Sequence, residues 1–226
     1  MQQIIAYLEK NSKNLKPLSG SKGSAGFDIL AAENKIILPG ETVLISTDLK
    51  IAIPNGYEIQ IRPRSGLSLK TSLRIPNSPG TIDSDYRNEI KIICQNANRF
   101  DDWQNDLLLK PSLATKLSSM KQINYFEYLI ENKFNIENRN FIDLNSEQKL
   151  DLDNLIKDEF ICNQLKSKTI FLDEEDLPYG SIKIKAGERF AQMIFARYFT
   201  PDFKLIDDVS QIGENRGGGF GSTGKN

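Results

Sequence analysis

Glycine divides this chain into two kinds of sequence. All 15 glycines fall within residues 1–80 or 180–226, and the stretch 81–179 has none and only two prolines, Pro111 and Pro178. Glycine and proline supply the backbone angles of tight turns, so the flanks suit short strands and the middle suits helices. Lys35 to Leu38 runs into a Pro39-Gly40 turn, Thr42 to Ile53 is rich in β-branched residues, and Pro54-Asn55-Gly56 signals another turn. Tyr57, Ile59 and Ile61 alternate with Glu58, Gln60 and Arg62, the period of a half-buried strand. Ile90 to Gln95 predicts a more deeply buried strand. Ser181 to Lys185 alternates again, and Ala186-Gly187 turns into a strand from Phe190 to Phe199. Short strands between such turns predict an all-β sandwich or barrel.

The middle changes period. Leu152, Leu155, Ile156, Phe160, Ile161 and Leu165 recur at 3.6-residue spacing, with Asn145 and Gln148 offering a helix start. Ile123, Phe126, Leu129, Ile130 and Phe134 form a second stripe, and Leu113, Leu117 and Met120 after Pro111 a third. Residues 99–178 therefore read as a helical module set into a β core made of 1–98 and 179–226. Removing it leaves about 146 residues, the size of one ordinary domain. A structureless loop of this length inside a domain would be uncommon, and the helical pattern removes that difficulty.

Composition excludes several function classes. The net charge of -1 argues against a protein that neutralises a long nucleic acid, and for a small-molecule ligand or a protein partner. No run of about 18 apolar residues predicts a membrane helix, and Met1 to Lys10 does not read as a signal peptide. The chain has no histidine, which removes Ser-His-Asp and Cys-His catalysis and imidazole-based zinc sites. Acid–base work must come from carboxylates, tyrosine, lysine or water. Cys94 lies in an apolar run and reads as a buried small hydrophobe; with Cys162 it fits a reducing, cytoplasmic-type compartment.

Five segments carry chemistry. Arg216-Gly217-Gly218-Gly219-Phe220-Gly221-Ser222-Thr223-Gly224 interleaves glycines, which let backbone amides approach phosphate, with a cation, two hydroxyls and an aromatic ring. Pro63-Arg64-Ser65-Gly66-Leu67 is a strand-to-turn junction with anion-binding residue types. Asn77 to Arg87 places Asp83 and Asp85 two residues apart beside Tyr86. Ser24-Ala25-Gly26-Phe27-Asp28 turns into a strand with one carboxylate, and Gly187-Glu188-Arg189-Phe190-Ala191-Gln192 is a turn and strand carrying Gln192. Taken singly, each reads almost as well as an ordinary turn or a flexible tail.

In the order in which they follow one another along the chain, the five resemble the ordered motifs of the trimeric, all-β dUTPase family. The likeness covers about 1–98 and 179–226, and its most specific parts are Gly80-Thr81-Ile82-Asp83-Ser84-Asp85-Tyr86-Arg87 and Gly219-Phe220-Gly221-Ser222-Thr223-Gly224. The resemblance implies an all-β, jelly-roll-like core that forms a homotrimer with shared active sites. It implies hydrolysis of dUTP to dUMP and pyrophosphate, which limits uracil incorporation into DNA. Asp83 would activate the attacking water. Arg64, Ser65, Gly66, Gln192, Arg216, Ser222 and Thr223 would bind phosphates. Asn77, Thr81, Ile82 and the Asp83 backbone would read uracil, Tyr86 would pack on the deoxyribose, and Lys91 would add a contact. Phe220, followed by Gly221, would close over the base. Magnesium ion, Mg2+, would be held mainly by the triphosphate, with Asp28 reaching it through water.

Two features depart from the family pattern. Arg216 and Phe220 are four residues apart, one fewer than usual, and the 99–178 insertion replaces a short hairpin loop. The insertion reads as a surface elaboration, an oligomer contact, a protein-docking surface or a cover near the site. Two alternative functions stay open: a dCTP deaminase-related enzyme sharing the Arg-Ser-Gly turn, and a nucleotide-sensing protein that uses the insertion as its interaction module.

Overall fold

The computed structural model describes residues 4–10, 15–132 and 157–214. The described residues hold fourteen strands, twelve of them in the flanks: β1 Tyr7–Leu8, β2 Leu18–Ser19, β3 Gly26–Leu30, β4 Lys35–Ile37, β5 Thr42–Ser46, β6 Ile51–Ala52, β7 Tyr57–Pro63, β8 Leu73–Arg74, β9 Gly80–Ile82 and β10 Lys91–Asn96 before the insertion, and β13 Ile182–Ile184 and β14 Arg189–Arg197 after it. One short helix, α1 Ser65–Lys70, follows β7. The main sheet is antiparallel with order β2-β3-β14-β7-β9. Smaller antiparallel sheets are β5-β10-β8, β13-β4 and β1-β6.

The alternation read from β7 is the one that builds the core. Ile59 and Ile61 are buried, whereas Arg62 between them and the helix is exposed. Ile29, Ala191 and Met193 join them from β3 and β14, and Ile45, Ile92 and Cys94 from β5 and β10, in one apolar cluster. Burying an isoleucine side chain contributes about 1.5–3 kcal/mol. The β-branched stretch 42–53 divides into β5 and β6 because Asp48 turns the chain with φ of 57°. The last strand stops at Arg197, short of the expected Phe199, which is 92% exposed.

The periodicity predicts a helical insertion, but its described residues are not helical throughout. It contains α2 Trp103–Leu109, α3 Leu113–Ser118, α4 Tyr125–Glu131 and α5 Glu159–Lys166, but also an antiparallel pair, β11 Lys121–Asn124 with β12 Thr169–Leu172. Ile123, expected on a helical stripe, lies in β11 opposite Ile170. The reason is Asn124. Its side chain accepts from the Glu127 amide at 2.8 Å while the Glu127 carboxylate accepts from the Asn124 amide, a capping box that starts the helix at Tyr125, two residues after Ile123. Likewise Asp158 caps α5 by accepting from the Ile161 amide at 3.0 Å. The expected start at Asn145 and Gln148, with Leu152, Leu155, Ile156 and Phe134, lies outside the described residues. Phe160 is 69% exposed rather than part of a buried stripe, while Leu117 is buried as its spacing predicts.

A second apolar cluster, Ile123, Tyr128, Ile170 and Leu172 with Phe100 and Tyr125 against it, is separate from the main core. The two ends of the insertion meet at its base. Fully buried Asn96 donates to the carbonyls of Ile37 at 3.0 Å and Gly180 at 2.8 Å, and its own side-chain oxygen accepts from the Asn98 amide at 3.1 Å. Asn98 also donates to Gly180 O at 2.8 Å. Gly180 has φ of 87°, and a Cβ there would stand 3.1 Å from Asn98 Nδ2.

Candidate active site

Strand order brings distant motifs together. In the main sheet, Gln192 of β14 pairs with Asp28 of β3 on one side and Arg62 of β7 on the other. Asp28 Oδ1 accepts from Arg64 Nε at 2.8 Å, and Oδ2 lies 3.2 Å from Arg189 Nη1. Arg64 Nη1 donates to the Arg189 carbonyl at 2.8 Å. Gln192 Nε2 donates to Pro63 O at 2.8 Å, which ties the start of the Arg64 turn to the sheet. Gly26 gives Gln192 its room, because a Cβ at 26 would press on the amide oxygen at 2.8 Å. Ser65 and Gly66 open α1 and are exposed. The result is a carboxylate, two guanidiniums, an amide and a hydroxyl gathered across the three middle strands of the sheet, a group suited to an anion and its counter-ion.

The third motif forms a second group. Thr81 and Ile82 lie in β9, opposite Gln60 and Ile59. Ile82 packs on the core, and Thr81, Asp83, Tyr86 and Lys91 are exposed. Asn77 folds back beside Gly80, its Nδ2 standing 3.1 Å from where a Cβ would be. The Tyr86 amide donates to Asp83 O at 3.2 Å, closing a turn, and Arg87 Nη1 braces it through the carbonyls of Ser84 at 2.6 Å and Tyr86 at 2.9 Å. Lys91 Nζ lies 3.7 Å from Glu89 Oε2.

One chain does not bring these groups together. Asp83 follows Ile82, which is opposite Ile59, whereas Arg64 follows the far end of β7. At about 3.3 Å per residue the two are separated by roughly 15–20 Å along the strand. The third expected group, Arg216, Phe220, Gly221, Ser222 and Thr223, lies outside the described residues. Sequence reasoning missed Arg189 as a site residue. Its signal was its position at the head of the strand carrying Gln192, but the register sets it opposite Leu30, and only the side-chain ion pair shows that it reaches Asp28.

Among the described residues, no three carboxylates or thiols gather to hold a metal ion. A cleft of about 640 Å³ is lined by none of the residues above. Several of its charges are paired with one another: Lys121 with Asp176 at 3.0 Å, and Lys183 with Asp173 at 3.0 Å and Glu175 at 2.9 Å. Cys94 is buried and its thiol is pushed up to about 12 by burial, so it is no nucleophile. No helix among the described residues is long and apolar enough to cross a membrane.

The fold is antiparallel β, and the chain belongs to the dUTPase family. The dUTPase family model matches residues 14–101. The deoxyuridine 5'-triphosphate nucleotidohydrolase of Zymomonas mobilis is 52% identical over 101 residues, 44% of this chain and 69% of that protein. The Clostridium acetobutylicum enzyme of the same name is 39% identical over 115 residues, 48% of this chain and 79% of its own length. Among solved structures, the dUTPase of Staphylococcus bacteriophage 80alpha with dUpNHpp superimposes with a TM-score of 0.62 at 24% identity. It covers 98% of this chain and 99% of its own. The fold likeness thus spans nearly the whole chain, whereas the matches to the two bacterial enzymes cover less than half of it.

Proposed function

We propose that this chain hydrolyses dUTP to dUMP and pyrophosphate. The observation that best supports the reading is the meeting of Asp28, Arg64 and Gln192, residues from three separate motifs, at one level of β3, β7 and β14. Asp83 accepts a proton from water, whose oxygen attacks the α-phosphorus; the bond to the α–β bridging oxygen breaks and pyrophosphate leaves. With no histidine in the chain, an exposed carboxylate is the base on offer. Phosphoryl transfer depends on positioning and charge neutralisation, which Arg64, Ser65, Gly66, Gln192, Arg216, Ser222 and Thr223 supply. Asn77 and the 81–83 backbone read the uracil edge, Tyr86 packs on the deoxyribose, Lys91 adds a contact, and Phe220 covers the base.

Magnesium fits as a companion of the triphosphate rather than as a resident of a protein cage. When bound it neutralises charge on the triphosphate. An ionised carboxylate has about four acceptor positions, so Asp28 keeps some beyond its two arginines for a contact through water. The active unit is a homotrimer in which Arg64 and Asp83 of one site come from different chains. The separation along β7 supports this, as do Phe199, Phe203 and Leu205, 92%, 87% and 101% exposed on the segment leaving β14. The buried cysteines Cys94 and Cys162, which form no disulfide, suit a reducing, cytoplasmic-type compartment. Residues 99–178 form a module of their own, a boundary supported by the separate cluster and the asparagine base.

Pyrophosphate release from dUTP, dTTP and UTP, each with magnesium, tests the reading. Turnover of dUTP well above the other two is expected. Equal turnover, or ammonia release from dCTP without dUTP hydrolysis, would overturn it.

A further inference from the structure

Glu89 takes no part in the chemistry above, yet it is tied down at both ends. Its Oε1 accepts from the Ser46 hydroxyl and from the Asp48 amide, the latter at 2.9 Å. Asp48 sits at φ of 57°, the bend between β5 and β6. The Glu89 carbonyl, at the other end of the residue, accepts from Tyr86 Oη at 2.9 Å. The next residue is fixed to the same bend: Ile90 N donates to Leu49 O at 2.8 Å, and fully buried Thr47 donates through Oγ1 to Ile90 O at 2.6 Å. Glu89 Oε2 faces Lys91. Burial opposes its ionised form, but the Ser46 and Asp48 bonds and Lys91 outweigh that, and its carboxyl is held below the usual range.

We infer that Glu89 is a positioning residue for sugar selection: it relays the fixed geometry of the 46–48 bend to the Tyr86 ring and restrains Lys91. Tyr86 is 38% exposed and its hydroxyl is tied to the Glu89 carbonyl, so the tether helps to set where the ring face lies. A ring that discriminates hydrogen from hydroxyl at the 2′ position must be held to a fraction of an ångström, since small displacements forfeit contact selectivity. The carboxylate, being ionised and doubly bonded, gives the tether a firm anchor.

This inference rests on the dUTP reading, and the test separates the two. Binding of dUpNHpp and of its ribo-counterpart is measured by calorimetry, beside kcat and KM for dUTP and UTP, in the full chain and in Glu89→Ala, Glu89→Gln, Ser46→Ala and Tyr86→Phe. The deoxy-over-ribo preference should fall about tenfold in Glu89→Ala, the worth of one hydrogen bond to a charged group, and less in Ser46→Ala. The Glu89→Ala/Tyr86→Phe pair should be no less selective than the worse single variant, because one loosens the anchor of the Glu89 backbone and the other removes the Tyr86 bond to that backbone, two links of a single chain from the 46–48 bend to the ring. A general loss of stability would lower activity toward both sugars and leave the ratio alone. An unchanged ratio in Glu89→Ala and Ser46→Ala, or additive losses in the pair, would overturn the inference. If Glu89→Ala does not fold, the Ser46→Ala and Glu89→Gln ratios decide it. A parent protein that prefers the deoxy analogue but releases no pyrophosphate would refute the hydrolysis reading and leave this one standing on binding.

Discussion

Replacing Asn96 with alanine removes three hydrogen bonds at a buried point: two donated to Ile37 O and Gly180 O, and one accepted from the Asn98 amide. At about 1 kcal/mol each the loss is about 3 kcal/mol. Water cannot easily take their place, because the side chain is wholly buried. For a chain of this size each kcal/mol lowers the melting temperature by about 2–4 °C, so a drop of about 6–12 °C is expected. Differential scanning calorimetry at fixed protein concentration reads it directly. Limited proteolysis adds where the damage falls: cleavage near 97–99 and 179–181 should speed up before cleavage in the main sheet. Turnover of dUTP below the melting range should stay close to normal, since Asn96 touches neither group of site residues. A melting temperature within about 1 °C of the parent protein, well inside what one lost hydrogen bond would produce, would refute the argument that this residue closes the insertion.

Joining Asn98 to Tyr179 through a short linker in place of the insertion should leave a folded core that still turns over dUTP, because Asn98 already bonds Gly180 at 2.8 Å; an aggregated or inactive product would show that the module is integral to the assembly. Asp83→Ala should lower kcat for dUTP by about 10²–10⁴-fold with nucleotide binding kept, as calorimetry with dUpNHpp would show. Acid titration should expose Glu89: its folded-state pKa is depressed, so its contribution is present above the ordinary carboxylate range and is lost as pH falls through the lowered value. Denaturant midpoints measured from neutral to acid pH should therefore fall less steeply in Glu89→Gln than in the parent.

What could be read in advance depended on how local the signal was. The alternation of Tyr57, Ile59 and Ile61 and the turn at Pro39-Gly40 are contiguous, and β7 and β4 appear where they predict. The motif chemistry was legible for the same reason, since Pro63 to Leu67 and Gly80 to Arg87 each carry their residue types in one stretch. The ion pair of Asp28 with Arg64 and Arg189 was not, because it depends on β14 lying between β3 and β7 and on the register that sets Gln192 beside Asp28. Within the insertion, Ile123 fits both a helical and a strand period in so short a run, and the cap at Asn124 decided between them. Pairing of β11 with β12 joins residues about 50 positions apart, a distance that no local pattern reports.

The two ends of β7 have one more consequence. Under the proposed homotrimer, no chain owns a site; each lends its arginine to one and its aspartate to another. A chain lacking Arg64 and a chain lacking Asp83 would both be inactive alone, yet each holds what the other has lost. Unfolded together and refolded as random mixtures, they should regain about a quarter of full activity, from the one intact junction in every mixed ring.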